Sequence, residues 1–171
     1  RMLLIRSATV ADAQALGHVH HVAWQETYRG LMDNGYLQSR TEEKSVEMFL
    51  KSGCSNTLVA ESDGSIVGFA AYGPSRDEDL REAGEVYGLY LLKGHQRKGY
   101  GHRLLEFALR VMPGYPCYSL WVLETNLQAI RFYLREGFVA DGTTKTQRTG
   151  EAFIREVRMV KTPLPAPRKR R

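Results

Sequence analysis

Cysteine is scarce in this 171-residue sequence, and long apolar runs are absent from it. The two cysteines, Cys54 and Cys117, form no C-x-x-C motif, so a disulfide framework and a structural zinc site both lack support. The longest apolar runs, such as residues 89–92, are far shorter than the roughly 20 residues that cross a bilayer. Charged and polar residues interrupt positions 1–20, where a signal peptide needs an apolar stretch. We therefore expect a cytoplasmic protein without a membrane partner.

Excess positive charge is scarce outside the last few residues. The 24 Lys and Arg outnumber the 19 Asp and Glu, giving a net charge of +5, but residues 168–171 supply four of those charges. Domains that bind nucleic acid usually spread Lys and Arg over a folded face. The nearly neutral remainder argues against nucleic acid as a partner of the folded part. Only the basic tail keeps an association with protein or nucleic acid open as an alternative.

The length predicts one folded unit, since domains usually contain about 100 to 200 residues. We assign residues 1–162 to a single domain and residues 163–171 to a Pro-rich, basic C-terminal tail. Hydrophobic periodicity predicts the element order βααββ-βα-βα-ββ, an α/β (α+β) mixed sheet with helices packed on it. The predicted strands are 3–6, 57–61, 66–72, 85–92, 117–123, 138–144 and 153–161, with helices at 9–24, 101–112 and 126–137 and one or two within 28–50.

The most informative segment joins the predicted central strand 85–92 to the helix that follows it. Gly99 and Gly101 lack Cβ atoms, so a phosphate can approach the backbone N–H groups at the start of that helix. The segment is not a Walker A loop, because Tyr100-Gly101 replaces the required Lys-Ser/Thr. It is not the dinucleotide fingerprint either, because Leu104 replaces the third glycine. On the loop alone, an anion site and a simple strand-to-helix turn both remain open.

Two motifs in this order resemble the GNAT superfamily of acyl-CoA-dependent N-acyltransferases. The segment Gln96-Arg97-Lys98-Gly99-Tyr100-Gly101 is similar to that family's Gln/Arg-x-x-Gly-x-Gly/Ala loop. Residues 126–138 resemble its Asn-x-x-Ala-x-x-x-Tyr-x-x-x-Gly-Phe helix, and residues 5–13 look like its common opening. The resemblance implies a central mixed, mostly antiparallel sheet of six to seven strands flanked by about four helices. It also implies that coenzyme binds where the two central parallel strands splay apart.

The resemblance implies a set of residues that bind acetyl-CoA as a cosubstrate. The strand would offer main-chain hydrogen bonds to the pantetheine arm, the loop would hold the pyrophosphate, and the side chain of Asn126 would contact the arm. A pyrophosphate needs clustered donors, and an amide-containing arm can pair with a strand edge, so the chemistry of the coenzyme agrees. The implied residues are Leu89, Tyr90, Leu91, Gln96, Arg97, Lys98, Gly99, Tyr100, Gly101, His102, Arg103 and Asn126.

Amine acylation also needs a base and an acid. An alkyl ammonium has a pKa of about 10.4 and must lose a proton before attack, and the departing sulfur leaves more readily as a thiol. The resemblance implies Glu85 as the base, acting directly or through water, and Tyr133 as the general acid beside the sulfur. A solvated strand-end carboxylate and a packing aromatic are the respective alternatives.

The acceptor side is less defined by the sequence. Trp24 and Tyr28 lie where the family's first helices border the acceptor pocket, although core packing is the alternative for each. The histidines at positions 18, 20 and 21 are expected to be solvated, since no nearby cysteine or carboxylate completes a metal shell. We expect no metal.

The combined prediction is an N-acetyltransferase that transfers an acetyl group from acetyl-CoA to a primary amine by direct attack in a ternary complex. A non-catalytic acyl-CoA-binding sensor on the same fold is the alternative, and it would not need Glu85 or Tyr133. The acceptor, a small molecule or a peptide amine, stays open, as does the homodimer that is common in the family.

Overall fold

The computed structural model describes residues 2–163, and the predicted basic tail from residue 164 onward lies outside them. The described part contains seven strands and five α-helices, in the predicted order with α2 and α3 dividing the segment 28–50. The strands are β1 (Leu3–Ser7), β2 (Thr57–Ser62), β3 (Ser65–Pro74), β4 (Gly84–Leu91), β5 (Tyr118–Leu123), β6 (Val139–Thr149) and β7 (Ala152–Lys161). The helices are α1 (Ala13–Tyr28), α2 (Asn34–Ser39), α3 (Glu42–Ser52), α4 (Tyr100–Arg110) and α5 (Leu127–Arg135).

All seven strands form one sheet in the order β1-β2-β3-β4-β5-β7-β6. Every neighbouring pair is antiparallel except β4 and β5, which run parallel and pair only at Gly84 with Tyr118 and at Glu85 with Ser119. Beyond Glu85 the two strands part. The predicted mixed, mostly antiparallel sheet with splayed central strands is therefore confirmed.

Helices cover both faces of the sheet, because successive side chains of a strand point to opposite faces. On β2, Leu58 and Ala60 pack with Leu104 of α4, whereas Val59 between them packs with Leu16 of α1 and Phe49 of α3. The α4 face continues into a second cluster around β5 and α5, formed by Val86, Leu105, Met112, Tyr118, Leu120, Val122, Tyr133, Phe138 and Met159. Within residues 2–163, no helix is both long and apolar enough to cross a membrane.

Local signals in the sequence account for several boundaries. Thr41 Oγ1 accepts a hydrogen bond from the Lys44 N–H at 3.3 Å and caps α3, and Asn126 Oδ1 accepts from the Ala129 N–H at 3.2 Å and caps α5. Asp63 and its neighbour Gly64 both have positive φ, as a two-residue hairpin turn requires. These caps and this turn follow from the local conformational preferences of the residues that form them.

β6 is longer than the sequence predicts. The prediction ended the strand at residue 144, whereas β6 continues to Thr149 and pairs with β7 up to Ala152. The added segment is mostly polar and exposed, so it carries no hydrophobic alternation. Its strand conformation comes from pairing with β7, a tertiary effect that local patterns do not record.

A buried arginine on β7 holds the segment before β4 against the hairpin that β6 and β7 form. Arg158 on β7 is 4% exposed, and its guanidinium meets carboxylate oxygens of Asp141 at 2.7 Å, Asp79 at 2.8 Å and Asp77 at 3.3 Å. The hydrogen bonds from Arg158 hold the pKa of the Asp79 carboxyl below its usual value. Three carboxylates thus compensate the buried cation, as a stable buried charge requires.

His20 departs from the expectation of solvated histidines. Its ring packs against Phe49, Phe69 and Tyr90, with ring centroids 5.7–6.0 Å away, and its Nδ1 lies 2.7 Å from Ser45 Oγ. Burial, with smaller contributions from nearby positive charge, lowers the pKa of His20 to about 4. The periodicity placed His20 on α1 but could not reveal that α3 covers it.

The His20 pKa predicts a loss of stability in mild acid. Unfolded chains bind a proton to histidine near pH 6.5, and the folded chain does so only near pH 4. Stability should therefore fall as the pH drops through that window, by about 2 kcal/mol between pH 7.5 and pH 5 from His20 alone. Urea unfolding of His20→Leu should show a shallower pH dependence by that amount. Equal pH dependence in His20→Leu and wild type, with exposed His18→Leu as control, would contradict this assignment.

Candidate active site

The parting of β4 from β5 leaves a cleft in the middle of the sheet. From Val86 to Leu91, β4 pairs with β3 on one side, and none of the described strands pairs with its other side. Backbone N–H and C=O groups along that edge are thus available to a ligand. The predicted residues Leu89, Tyr90 and Leu91 all lie on this stretch.

A loop with two left-handed residues leads from β4 to α4. Arg97 has φ +61° and Gly99 has φ +78°, and Gly99 is the N-cap of α4. Among residues 2–163, no side chain caps this helix at its N-cap, so its first N–H groups lack the acceptor that a capping side chain would supply. A Cβ atom at Gly99 would meet no described atom within 4 Å, which means that the space beside Gly99 is open. The loop has the donors, the dipole and the access that an anion requires.

Several predicted coenzyme residues of the loop use their side chains elsewhere. Gln96 Nε2 donates to the Leu91 carbonyl at 3.2 Å, and Arg103 Nη2 donates to the Leu3 carbonyl at 3.4 Å. Tyr100 is buried in the core and stacks on His95. These three side chains shape the loop and anchor it, so what they can offer an anion is their main chain.

The other charged side chains at this end of α4 are exposed. Arg97 and Lys98 are exposed residues of the loop. Gly101 lies in the first turn of α4, beside the ring of Phe132. His102 Nδ1 lies 2.7 Å from the carboxylate of Glu136 at the end of α5, and the hydrogen bond that this carboxylate accepts raises the pKa of His102. His102 therefore links the start of α4 to the end of α5.

α5 carries two predicted site residues. The Asn126 side chain caps the helix through Oδ1, and its NH2 group has no partner among residues 2–163. Tyr133, seven residues later, returns to nearly the same face of the helix and is 9% exposed, beside Phe132 and Phe138. Burial, with a smaller effect from Tyr28, raises the pKa of the Tyr133 hydroxyl far above its usual value. The phenol therefore keeps its proton at neutral pH.

Glu85 lies at the apex of the cleft, at the last pair that joins β4 to β5. Its side chain is buried, and the residue is 1% exposed. Oε1 accepts from the Arg76 backbone N–H at 2.9 Å, and Oε2 accepts from Arg76 Nη2 at 2.9 Å. The Arg76 guanidinium also lies 4.0 Å above the ring of Tyr87. Glu85 is thus a compensated buried carboxylate and not the solvated strand-end acid that was its alternative.

Aromatic residues gather on the opposite face of the sheet from α4 and α5. Trp24 lies 4.9 Å from Tyr28 and 5.9 Å from Tyr36 between ring centroids, and the hydroxyls of Tyr28 and Tyr90 are 3.3 Å apart. We name Trp24, Tyr28, Tyr36 and Tyr90 the aromatic cluster. Burial raises the pKa of Tyr28 and of Tyr90. The two predicted acceptor residues, Trp24 and Tyr28, are therefore brought together.

Three features of this region do not follow from the sequence pattern. Tyr90 was assigned for its main chain only, whereas its side chain joins the aromatic cluster. Arg76, in a polar loop, pairs with Glu85. Glu26, on α1, accepts a hydrogen bond from the Lys93 N–H at 3.1 Å and so holds the beginning of the loop before α4. No local signal marks these contacts, because each joins elements that are distant in sequence. Among the described residues, no group of three potential metal ligands occurs.

Comparisons with known proteins agree with this architecture. The sequence model of the Acetyltransferase (GNAT) family matches residues 22–138. The chain is 34% identical over 137 residues to the N-acetyltransferase YuaI of Bacillus subtilis, covering 77% of this chain and 78% of YuaI. The chain belongs to the GNAT family of N-acetyltransferases.

Other relatives and a solved structure extend the comparison. A spermine/spermidine N(1)-acetyltransferase of Bacillus subtilis is 34% identical over 87 residues, which cover 47% of this chain and 57% of that enzyme. The crystal structure of the PaiA N-acetyltransferase from Thermoplasma acidophilum, solved with coenzyme A, superposes with a TM-score of 0.79 at 24% identity. That superposition covers 95% of this chain and 100% of PaiA, and it supports the fold.

Proposed function

We propose that this acetyltransferase transfers the acetyl group of acetyl-CoA to a primary amine, which attacks the thioester directly in a ternary complex. The observation that carries the proposal is the cleft between β4 and β5. It is supported by the N-terminus of α4, which follows the loop after β4, and by the buried, protonated Tyr133, which belongs to the same hydrophobic cluster as Val86 of β4 and Val122 of β5. The aromatic cluster lines the opposite side of the sheet.

The residues present fit coenzyme A. Its pyrophosphate needs several donors that can approach closely. The first N–H groups of α4, which follow Gly99, supply such donors, and the space beside Gly99 is open. The exposed Arg97 and Lys98 add positive charge. Its pantetheine arm carries amides that can pair with the free edge of β4 at Leu89 and Leu91, as an added strand does. The free NH2 group of Asn126 suits a carbonyl of the same arm.

Acetyl transfer then requires three proton movements. The ammonium group loses a first proton, the lone pair forms the C–N bond to the acetyl carbon, and the nitrogen loses a second proton to water as the C–S bond breaks with its electrons on sulfur. We assign the first proton to Glu85, directly or through a water molecule. We assign to Tyr133 the donation of a proton to the leaving sulfur, after which water reprotonates the phenol. The products are the N-acetyl amine and the free thiol of coenzyme A.

Release of thiol from acetyl-CoA tests the function itself. A panel of primary amines that includes small mono- and diamines and a peptide N-terminus should contain at least one that accelerates release well above the amine-free rate. Acetylated product should appear in equal amount by mass spectrometry. Tight coenzyme binding without amine-dependent release from any of these acceptors would favour the acyl-CoA-binding sensor instead.

Gly99→Val should weaken binding of coenzyme A by about 10-fold or more. A branched side chain at the N-cap enters the open space in front of the N–H groups, and valine is strained at φ +78°. Isothermal titration calorimetry measures the affinity. Gly94→Val is the matched control, because a Cβ at Gly94 also meets no atom within 4 Å and Gly94 has no positive φ. Unchanged affinity in folded Gly99→Val would place the pyrophosphate elsewhere.

Glu85→Gln should lower kcat/KM by about 10²-fold near neutral pH, because the amide keeps the shape of the carboxylate and removes its basicity. The affinity for coenzyme A should change little. The exposed neighbour Glu82→Gln serves as a control for the lost charge. If the pH-rate profile of Glu85→Gln matches that of the wild type, Glu85 is not the base.

Tyr133→Phe should lower kcat by about 10-fold to 10³-fold, the range of one general acid, while coenzyme affinity stays nearly constant. The loss should shrink for thioesters whose thiols are more acidic, because these need less protonation. Tyr118→Phe is the control, since it removes another buried hydroxyl, one that donates to the Met112 carbonyl at 2.6 Å. Equal turnover by Tyr133→Phe and wild type, where chemistry limits the rate, would leave Tyr133 as a packing residue.

A further inference from the structure

The β3–β4 connection, residues 75–83, binds both sides of the cleft at the point where β4 and β5 part. On the β4 side, the backbone N–H and the guanidinium of Arg76 each donate to one carboxylate oxygen of Glu85 at 2.9 Å. On the β5 side, Oδ2 of the next residue, Asp77, accepts a hydrogen bond from Trp121 Nε1 at 3.0 Å. Two adjacent residues of the connection therefore hold side chains of strands whose backbones no longer pair beyond Glu85.

A buried network holds Asp77 in place. Trp121 of β5 and Arg158 of β7 are directly opposed residues of paired strands. Arg158 Nη1 donates to the same Oδ2 atom of Asp77 at 3.3 Å, so one carboxylate oxygen receives two donors. Other donors of the buried Arg158 bind Asp79 and Asp141 at 2.7–2.8 Å and fix the guanidinium. The charge-assisted contacts make Asp77 the firmly held end of the connection.

Both ends of this bridge lie on the face of the sheet that carries the aromatic cluster. Val86 of β4 and Leu120 and Val122 of β5 belong to the hydrophobic cluster on the other face, beneath α4 and α5. Successive side chains of a strand point to opposite faces, so Glu85 and Trp121 point away from that cluster. The β3–β4 connection thus ties β4 to β5 on the face where the acceptor is proposed to bind.

The position of Glu85 depends on this bridge. Among residues 2–163, Arg76 alone donates hydrogen bonds to the Glu85 side chain. The Arg76 side chain is 64% exposed and rests only on the ring of Tyr87, so it is a weak support by itself. Its backbone N–H, by contrast, belongs to the peptide next to the firmly held Asp77. A general base has to keep its alignment, since small displacements of a reacting group cost much of the rate.

We infer that Asp77 is a positioning residue for acetyl transfer, because it holds Arg76 where Arg76 fixes the Glu85 carboxylate. The inference rests on the proposed function, since it concerns the base of the same transfer. Asp77 acts through Arg76 and Glu85 and takes no part in proton transfer itself. A residue of this kind affects the rate of the chemical step and leaves the binding of both ligands unchanged.

Asp77→Ala should lower kcat by about 10-fold or more, because a displaced base loses the alignment that proton transfer needs. KM for the amine and the affinity for coenzyme A should stay within about 2-fold of wild type. Asp77→Asn should recover most of the rate, since the amide oxygen can still accept from Trp121 Nε1. If Asp77→Ala does not fold, Trp121→Phe removes one of the two donors and should lower kcat alone, by about 3-fold.

Asp141→Ala is the matched control. It removes a carboxylate from the same buried Arg158 and leaves both hydrogen bonds of Asp77 in place. Asp141→Ala should unfold at a lower urea concentration than wild type and yet keep kcat within about 2-fold. A second control adds Asp77→Ala to Glu85→Gln, where the further loss should be less than about 2-fold, because the position of a group without basicity no longer matters.

Hydrogen exchange of the Arg76 amide, followed by NMR, tests the contact without turnover. This N–H donates to Glu85 Oε1 and should exchange slowly in wild type and in Asp141→Ala. In Asp77→Ala it should exchange at least about 10-fold faster, because the local structure opens more often.

Four results would overturn the inference. These are an unchanged kcat in Asp77→Ala, an equal loss of kcat in Asp141→Ala, a full further loss when Asp77→Ala is added to Glu85→Gln, and equal exchange of the Arg76 amide in Asp77→Ala and wild type. Absence of amine-dependent thiol release from the wild type would refute the proposed function instead. Faster amide exchange in Asp77→Ala would then still show that Asp77 holds the contact between Arg76 and Glu85.

Discussion

The parting of β4 from β5 after two residue pairs is the constraint on which the rest of the structure depends. Central strands normally satisfy their backbone groups on both edges, and an unpaired edge inside a protein is costly unless something else binds it. Here β3 holds the other edge of β4, and β7 holds the other edge of β5. Both strands therefore stay in place while a gap remains between them, and this gap is where an amide-bearing ligand can complete the sheet.

The two faces of the sheet divide the chemistry between main chain and side chains. On the α4 face, the loop presents N–H groups, and the side chains of Gln96, Tyr100 and Arg103 mainly support its conformation. On the α1 face, the candidate contacts are the side chains of the aromatic cluster. A cosubstrate shared by a whole family can be bound by backbone geometry, whereas recognition of one acceptor depends on particular side chains.

Features set by a few consecutive residues could be predicted from the sequence. The Asp63-Gly64 turn, the Asn126 cap and the Gly99 loop all follow from local conformational preferences, and the structure has each of them. The resemblance to the GNAT superfamily correctly implied the splayed central strands.

Features made by elements far apart in the chain could not be read in this way. The pairing of Arg76 with Glu85 and the cover of α3 over His20 depend on tertiary packing. The extension of β6 likewise depends on β7, because its exposed polar residues carry no strand pattern of their own. These contacts lie outside the two motifs that the sequence made recognisable.

The hydrogen bond from the Lys93 N–H to Glu26 has a consequence for altering this enzyme. α1 carries Trp24 and Tyr28 and, through Glu26, also holds the start of the loop that precedes α4. Transplanting α1 from a relative would thus disturb the loop before α4 unless the graft retained a carboxylate at position 26. Libraries for directed evolution are better aimed at the neighbouring positions with Glu26 kept fixed. The choice of acceptor can then change while the affinity for acetyl-CoA is kept.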